Sequence, residues 1–264
     1  MFDLNWDAAG ERIYEAGVSR GVLYPSGNDG TYSIGVAWNG LTGITESPSG
    51  AEPTPLYANN TKYLTLMSVE ELAGTIEAYT YPDEFGVCNG EVAITEGVSI
   101  GQQNRSPFGL SYRSEIGNDT NGIKHGYKLH MLYGCMTSPA EQAHATINED
   151  PEVDPMSWEF TTTPVPVNGH DVTASIVIDS TKADPVKLKN LEQILYGKPH
   201  ELLVDKPEDW SANYSKYFTK TSEGYEKVTS LDGAPSFEKD KYYSDKVAAR
   251  LPLPDEIATI MKKD

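Results

Sequence analysis

From about residue 11 to residue 179, apolar and polar side chains alternate in short runs broken by Gly, Pro, Asn and Asp. This is the pattern of half-buried antiparallel strands. Candidate strands cover residues 12–18, 32–38, 62–67, 74–80, 108–113, 127–133, 157–162 and 172–178. In the last, Val172, Ala174, Ile176 and Ile178 fall on one face, and Thr173, Ser175 and Asp179 on the other. Asn118-Asp119-Thr120-Asn121-Gly122 reads as a hairpin turn, because Asn and Gly accept the positive φ such turns require.

The period then changes. Asp184-Pro185 supplies a helix N-cap and a first-turn proline, Leu188, Leu191, Ile194 and Leu195 follow at helical spacing, and Gly197 ends the run. A run of strands followed by one helix predicts a mainly β, α+β architecture: a β-sandwich or barrel with a flanking helix. Two stretches stand apart. Residues 42–60 are rich in Pro and Gly and read as a long connection between strands, far beyond the usual two to five residues of a hairpin loop. Residues 199–248 gather Trp210, Tyr214, Tyr217, Phe218, Tyr225, Phe237, Tyr242 and Tyr243 among Lys, Glu and Ser, predicting a small module with its own aromatic cluster. Arg250-Leu251-Pro252-Leu253-Pro254 then leads into a short amphipathic tail helix. The expected organisation is therefore residues 1–198 as the main domain, 199–248 as an inserted module and 249–264 as a tail returning to the main domain.

Charge narrows the function classes. Of 264 residues, 39 are acidic and 21 basic, a formal charge of −18, which excludes binding to nucleic acid through net positive charge. No stretch approaches the roughly 20 apolar residues of a membrane helix, and the first residues lack the pattern of a signal peptide, so no membrane partner and a cytoplasmic site of synthesis are expected. In such a compartment Cys88 and Cys135 are expected as buried free thiols.

No constellation for catalysis emerges. Gly40-Leu41-Thr42-Gly43 lies between strands with no Lys and no helix behind it, so it is no phosphate cradle. His125 and His130, five apart on one strand, point to opposite faces and cannot chelate one metal. The acidic run from Asn148 to Asp154 lacks the central Gly and twelfth-position Glu of a calcium loop. No nucleophile signature is present, although two distant carboxylates of glycosidase type leave no local trace. Neither enzymatic activity nor a cofactor is expected.

Several collinear phrases resemble the major tail tube protein of long-tailed phages and prophages of Gram-positive bacteria. Among them are Gly10-Glu11-Arg12-Ile13-Tyr14-Glu15-Ala16-Gly17-Val18, Gly35-Val36-Ala37-Trp38-Asn39-Gly40-Leu41-Thr42, Glu46-Ser47-Pro48-Ser49-Gly50-Ala51-Glu52-Pro53, Phe108-Gly109-Leu110-Ser111-Tyr112-Arg113, Trp158-Glu159-Phe160-Thr161-Thr162-Thr163-Pro164 and Leu251-Pro252-Leu253-Pro254-Asp255-Glu256. They run through most of residues 1–198 and resume near Arg250. The aromatic segment departs from the pattern, since sequences of this type join the helix to the Leu-Pro-Leu-Pro-Asp phrase by a short acidic linker.

The resemblance implies a structural virion protein, assembled in the host cytoplasm. Hexameric rings would stack into a tube whose inner sheets join edge to edge. DNA would pass through the lumen without sequence-specific binding, past carboxylates on inward strand positions. Implied partners are further copies of the chain, a tape-measure protein, a tail terminator and a distal tail protein. The stretch holding Glu46, Pro48, Gly50, Glu52, Pro53, Pro55 and Tyr57 is the expected contact between rings. Alternatives are a terminator or connector of the same fold, or a carbohydrate-binding β-sandwich using the four Trp and sixteen Tyr.

Overall fold

The computed structural model describes residues 6–27, 30–142, 146, 153–228 and 236–262. His144 and most of the acidic run from Asn148 to Asp154 lie outside the described residues. The chain is mainly β. Its first strands are β1 (Ile13–Pro25), β2 (Val36–Ala37), β3 (Leu41–Gly50), β4 (Pro53–Ala58), β5 (Thr61–Met67) and β6 (Glu70–Ala78). A short helix, α1 (Phe85–Cys88), precedes β7 (Val92–Thr95), β8 (Val98–Ile100), β9 (Phe108–Asn118) and β10 (Gly122–Thr137). There follow β11 (Met156–Thr162), β12 (Val165–Val167), β13 (His170–Thr173), β14 (Ser175–Asp179) and helix α2 (Pro185–Tyr196). The aromatic segment contributes α3 (Trp210–Asn213), β15 (Phe218–Thr221), β16 (Gly224–Lys227) and β17 (Tyr242–Tyr243), and α4 (Pro254–Met261) ends the fold.

The main sheet runs β2-β1-β9-β10-β11-β6-β3, with β14 also on β10. It divides at β10, whose residues 128–132 pair with β14 and residues 135–137 with β11. The dividing residue is Gly134, at φ 59. A Cβ there would meet the Thr163 carbonyl at 2.2 Å, so the close approach of the next segment requires glycine. Beyond Gly134 the sheet rolls up, because β2 pairs with β1 and continues within three residues into β3, which pairs with β6. The rolled sheet encloses Leu23, Ile76, Phe108, Leu110, Leu132, Trp158 and Phe160 as a barrel core. Its end is plugged by α1, where Phe85 packs at ring-centroid distances of 4.6 Å from Trp38, 5.3 Å from Trp158 and 5.7 Å from Phe108.

On the other face of the sheet lie α2 and α4. The Asp184 side chain accepts from the amides of Val186 (2.9 Å) and Lys187 (3.1 Å), as the sequence predicts for this cap, and these donors hold its carboxyl below the usual range. Leu188, Leu191 and Leu195 bury against Val22, Tyr24, Leu129, Met131 and Tyr133, each apolar side chain contributing roughly 1.5–3 kcal/mol. The Tyr24 hydroxyl donates to the Leu195 carbonyl at 2.8 Å and the Tyr133 hydroxyl to the Pro252 carbonyl at 2.9 Å, tying strands to helix and tail.

Three sequence expectations are corrected. Residues 42–60 are no loop: 41–50 form β3 within the main sheet and 53–58 form β4, because short Pro- and Gly-bearing strands with exposed faces lack the alternation that marks half-buried ones. Residues 32–38 pair only at Val36 and Ala37, apart from a bridge between Ser26 and Tyr32. The run 172–178 is broken at Ala174, leaving Val172 exposed on β13 while Ile176 and Ile178 of β14 pack with the helix face.

The aromatic segment builds the small sheet β16-β15-β17 around Trp210, which packs on Tyr242 (4.6 Å), Tyr217 (5.2 Å) and Phe237 (5.3 Å). Its two ends meet: the Lys198 and Val247 backbones exchange hydrogen bonds of 2.9 and 2.8 Å.

Candidate functional site

Below the barrel, the N-terminal part of β1, β9, β10 and β14 form a four-stranded antiparallel sheet. One face is sealed by α2. Among the described residues, the outer edges of β14 and of Ile13–Ala16 in β1 pair with nothing. An open edge is ordinarily masked by charge or proline. Here apolar side chains accompany both: Ile13 is 62% exposed beside one edge and Val177 49% exposed on the other. Because each neighbouring pair is antiparallel, β14 runs opposite to β1, so the β14 edge of one copy can pair antiparallel with the β1 edge of another.

The face away from α2 is polar and organised around His130. Residue 130 alternates with Leu129 and Met131, which face the helix, and so points away from it. Its ring stacks on Tyr112 at 4.5 Å and 5°. Nε2 lies 2.9 Å from Ser114 Oγ and 3.5 Å from Glu15 Oε1, while Nδ1 faces Glu46 Oε1 at 3.5 Å. The Ser114 hydroxyl donates to Glu15, whose other oxygen pairs with Lys128, and the Tyr112 hydroxyl donates to Glu46. The Glu15 carboxyl is accordingly held below its ordinary value, first by Lys128 and then by Ser114. That of Glu46 is lowered first by His130 and then by Tyr112, against an opposing effect of burial. Burial, then the Glu46 carboxylate, drives the Tyr112 phenol well above its usual range.

Ser114, His130 and Glu46 thus fall in the order nucleophile, base and orienting acid. The geometry is unsuited to attack on a substrate, however, since Ser114 is only 6% exposed and its hydroxyl is engaged by Glu15. The chemistry of the cluster is charge pairing at the junction of sheet and barrel, with β3 delivering Glu46 across to β9 and β10.

Strands β4 and β5 form a two-stranded arm that extends β3 and β6 beyond the barrel. Gly50 (φ 84) and Ala51 (φ 52) turn the chain at its root, and a Cβ on Gly50 would lie 2.2 Å from the Val69 carbonyl. Asn59 (φ 51) and Asn60 (φ 61) make the tip, the conformations of a type I′ hairpin turn. Both faces of the arm are apolar. Leu56, Leu64 and Leu66 share one, and Tyr57, Tyr63 and Met67 lie on the other, all exposed. Pro53 and Pro55, two apart, turn their nitrogens to the same side. The ladder to β5 persists across both, so the outer edge of β4 lacks those donors.

The residues predicted as one contact stretch therefore divide. Pro48 and Gly50 are exposed at the end of β3, Glu52 lies at the arm's root, and Pro53, Pro55 and Tyr57 line the arm. Glu46 lies apart, held in the fold by Tyr112 and His130. Sequence reasoning missed the His130 cluster, in which the half-buried ring is held between strands. The available signal was a histidine between two buried positions of a strand, with polar Ser114 on the neighbouring strand. It also missed hairpin β7–β8, where Val92, Ile94, Val98 and Ile100 are exposed.

No protein-family model matches the chain, and no curated protein matches its sequence.

Proposed function

We propose that this protein is a tail tube subunit of a long-tailed phage or prophage, a structural protein that assembles into stacked hexameric rings around a lumen for DNA. The observation that carries the reading is the four-stranded sheet with two open, opposite and apolar edges, backed by a helix on one face and polar on the other. A head-to-tail contact between such edges repeats until the ring closes. Six copies contribute about 24 strands, which at about 4.8 Å each give a backbone circle about 37 Å across, widened further by strand tilt. That leaves room for a duplex inside the side chains. The collinear family-like phrases in residues 1–198 and near Arg250 support the same reading, as does the meeting of Lys198 with Val247, which lets the aromatic module leave the wall undisturbed.

In this reading the polar face lines the lumen, and its charge is modest. It carries the carboxylates of Glu15, Glu46 and Asp179 against the ammonium of Lys128, with Glu15 and Lys128 paired. The wall offers DNA few cations to grip. Carboxylates outnumber ammonium groups on this face, which supports the negative lining expected from inward strand positions.

Negative-stain microscopy of the purified protein tests the proposal. Rings or tubes of sixfold symmetry are the expected outcome, and a monomer at every concentration and salt would refute it. In virions, a copy number of many rings separates a tube subunit from a terminator or connector.

A further inference from the structure

The arm leaves the barrel at the end where Gly50 pairs with Glu70. The other end of the same strand pair, where Leu41 pairs with Ala78, carries a second apolar surface among the described residues. There a groove of about 590 Å³ is lined by Ile34, Val36 and Val87, with Glu84 and buried Cys88 beside them. Ile34 is 66% exposed. Hairpin β7–β8 rises next to this groove, rooted on α1 by the Gln103 amide donating to the Gly90 carbonyl (2.9 Å) and the Ser106 amide to that of Val87 (3.2 Å). Its Val92, Ile94, Val98 and Ile100 extend the apolar surface.

Two apolar surfaces at opposite ends of one strand pair, about 30 Å apart along β3, are placed for end-on contact between copies. Charge agrees with this. Lys62 is the only charged side chain between Pro53 and Met67, whereas the groove end carries exposed Asp83 and Glu84, with Glu96 at the tip of β7–β8. The arm also needs covering on both faces, which a groove with a second wall provides and a flat surface does not.

We infer that the groove of Ile34, Val36 and Val87, walled by hairpin β7–β8, receives the β4–β5 arm of a second copy stacked end-on. The inference rests on the tube-subunit reading and names the receiving surface within it. Lys62 lies toward Glu84 of the receiving copy, and the arm's two apolar faces meet the groove floor and the β7–β8 wall.

The test uses the full chain carrying Ile34→Cys and Tyr57→Cys. The two positions in one chain lie at opposite ends of the strand pair, beyond the roughly 7 Å limit for a disulfide, so any bond joins two copies. Cys88 borders the same groove and is replaced by Ala in every variant, and Cys135 is fully buried and gives no background. Mild oxidation of assembled protein is expected to give a ladder of covalent multimers that neither single variant gives. Lys62→Glu should abolish stacking beyond single rings, and Lys62→Glu with Glu84→Lys should restore it. Tubes of normal length that neither cross-link nor shorten with Val87→Asp would overturn the docking and leave the tube reading intact. Cross-links within isolated rings would overturn the end-on geometry. A wild-type chain that never assembles would overturn both.

Discussion

His130 lies between two carboxylates whose ionised forms the fold favours, and this sets how the protein responds to acid. Glu15 and Glu46 both titrate below the usual 4.5 when folded. A depressed carboxyl binds its proton more weakly in the folded than in the unfolded chain. Its stabilising contribution is therefore complete above the unfolded value and is lost as pH falls through the folded one. The melting temperature should fall as pH is lowered below about 4.5, and Glu46→Gln should flatten that dependence while lowering stability at neutral pH. Calorimetry from pH 3 to 7 would show this, and an unchanged acid slope in the variant would exclude Glu46 as a source. In the barrel, Phe85 is fully buried and touches Trp38, Trp158 and Phe108. Phe85→Ala should cost about 3–5 kcal/mol, read as a lower denaturant midpoint, because the rings around it cannot collapse into the space. Burial raises the Cys88 thiol to about 12 and moves that of Cys135 up as well, so both should resist alkylation in the native state and react on unfolding.

At the scale of elements, the arm and the strands that bear it are separable. Gly50 is the last residue of β3 that pairs with β6, and Ser47, Pro48 and Ser49 all belong to that ladder. A deletion beginning at Ser47 would therefore damage the barrel. Replacing residues 51–68 with a two-residue Asn-Gly turn should instead leave the melting temperature of the monomer nearly unchanged and stop assembly at single rings. Long tubes from that variant would show that the arm does not join rings. Gly50→Ala should twist the arm from its direction without unfolding the barrel, since φ of 84 and the Val69 carbonyl both oppose a Cβ. A fall in tube length with an unaltered circular dichroism spectrum would be its signature.

For the whole molecule, the proposed ring would close by pairing the edges of β1 and β14. Ile13→Lys or Val177→Lys places an ammonium beside an edge that must be covered, the device by which natural edge strands avoid pairing. Either variant should fold as wild type and remain monomeric by size exclusion, and rings formed as readily as wild type would place the lateral joint elsewhere. The aromatic module should be dispensable, since its ends meet at Lys198 and Val247. With residues 199–246 replaced by a short polar linker, tubes should keep their inner diameter and lose outer diameter, and a widened lumen would show that the module belongs to the wall.

Much of the fold is written locally. The alternation around Leu129 and Met131, the Asn118–Gly122 turn, the Asp184 cap, the leucines of α2 and the crowd of aromatics after Pro199 each depend on neighbours in the chain, so the sequence by itself determined a mainly β body, one helix and a separate aromatic cluster. Residues 42–60 were misread because an exposed strand with apolar or proline side chains on both faces carries no alternation. The His130 cluster was invisible for a different reason: Glu15, Glu46, Ser114 and His130 come from four strands, and long-range pairing alone brings them within hydrogen-bonding and ion-pair distance. The open edges of β1 and β14, the rolling of the sheet that brings β2 and β3 together in sequence, and the placing of arm and groove at opposite ends were likewise decided only by tertiary structure. Which strand lies beside which is set by packing across the whole sheet, and no local run of residues encodes it.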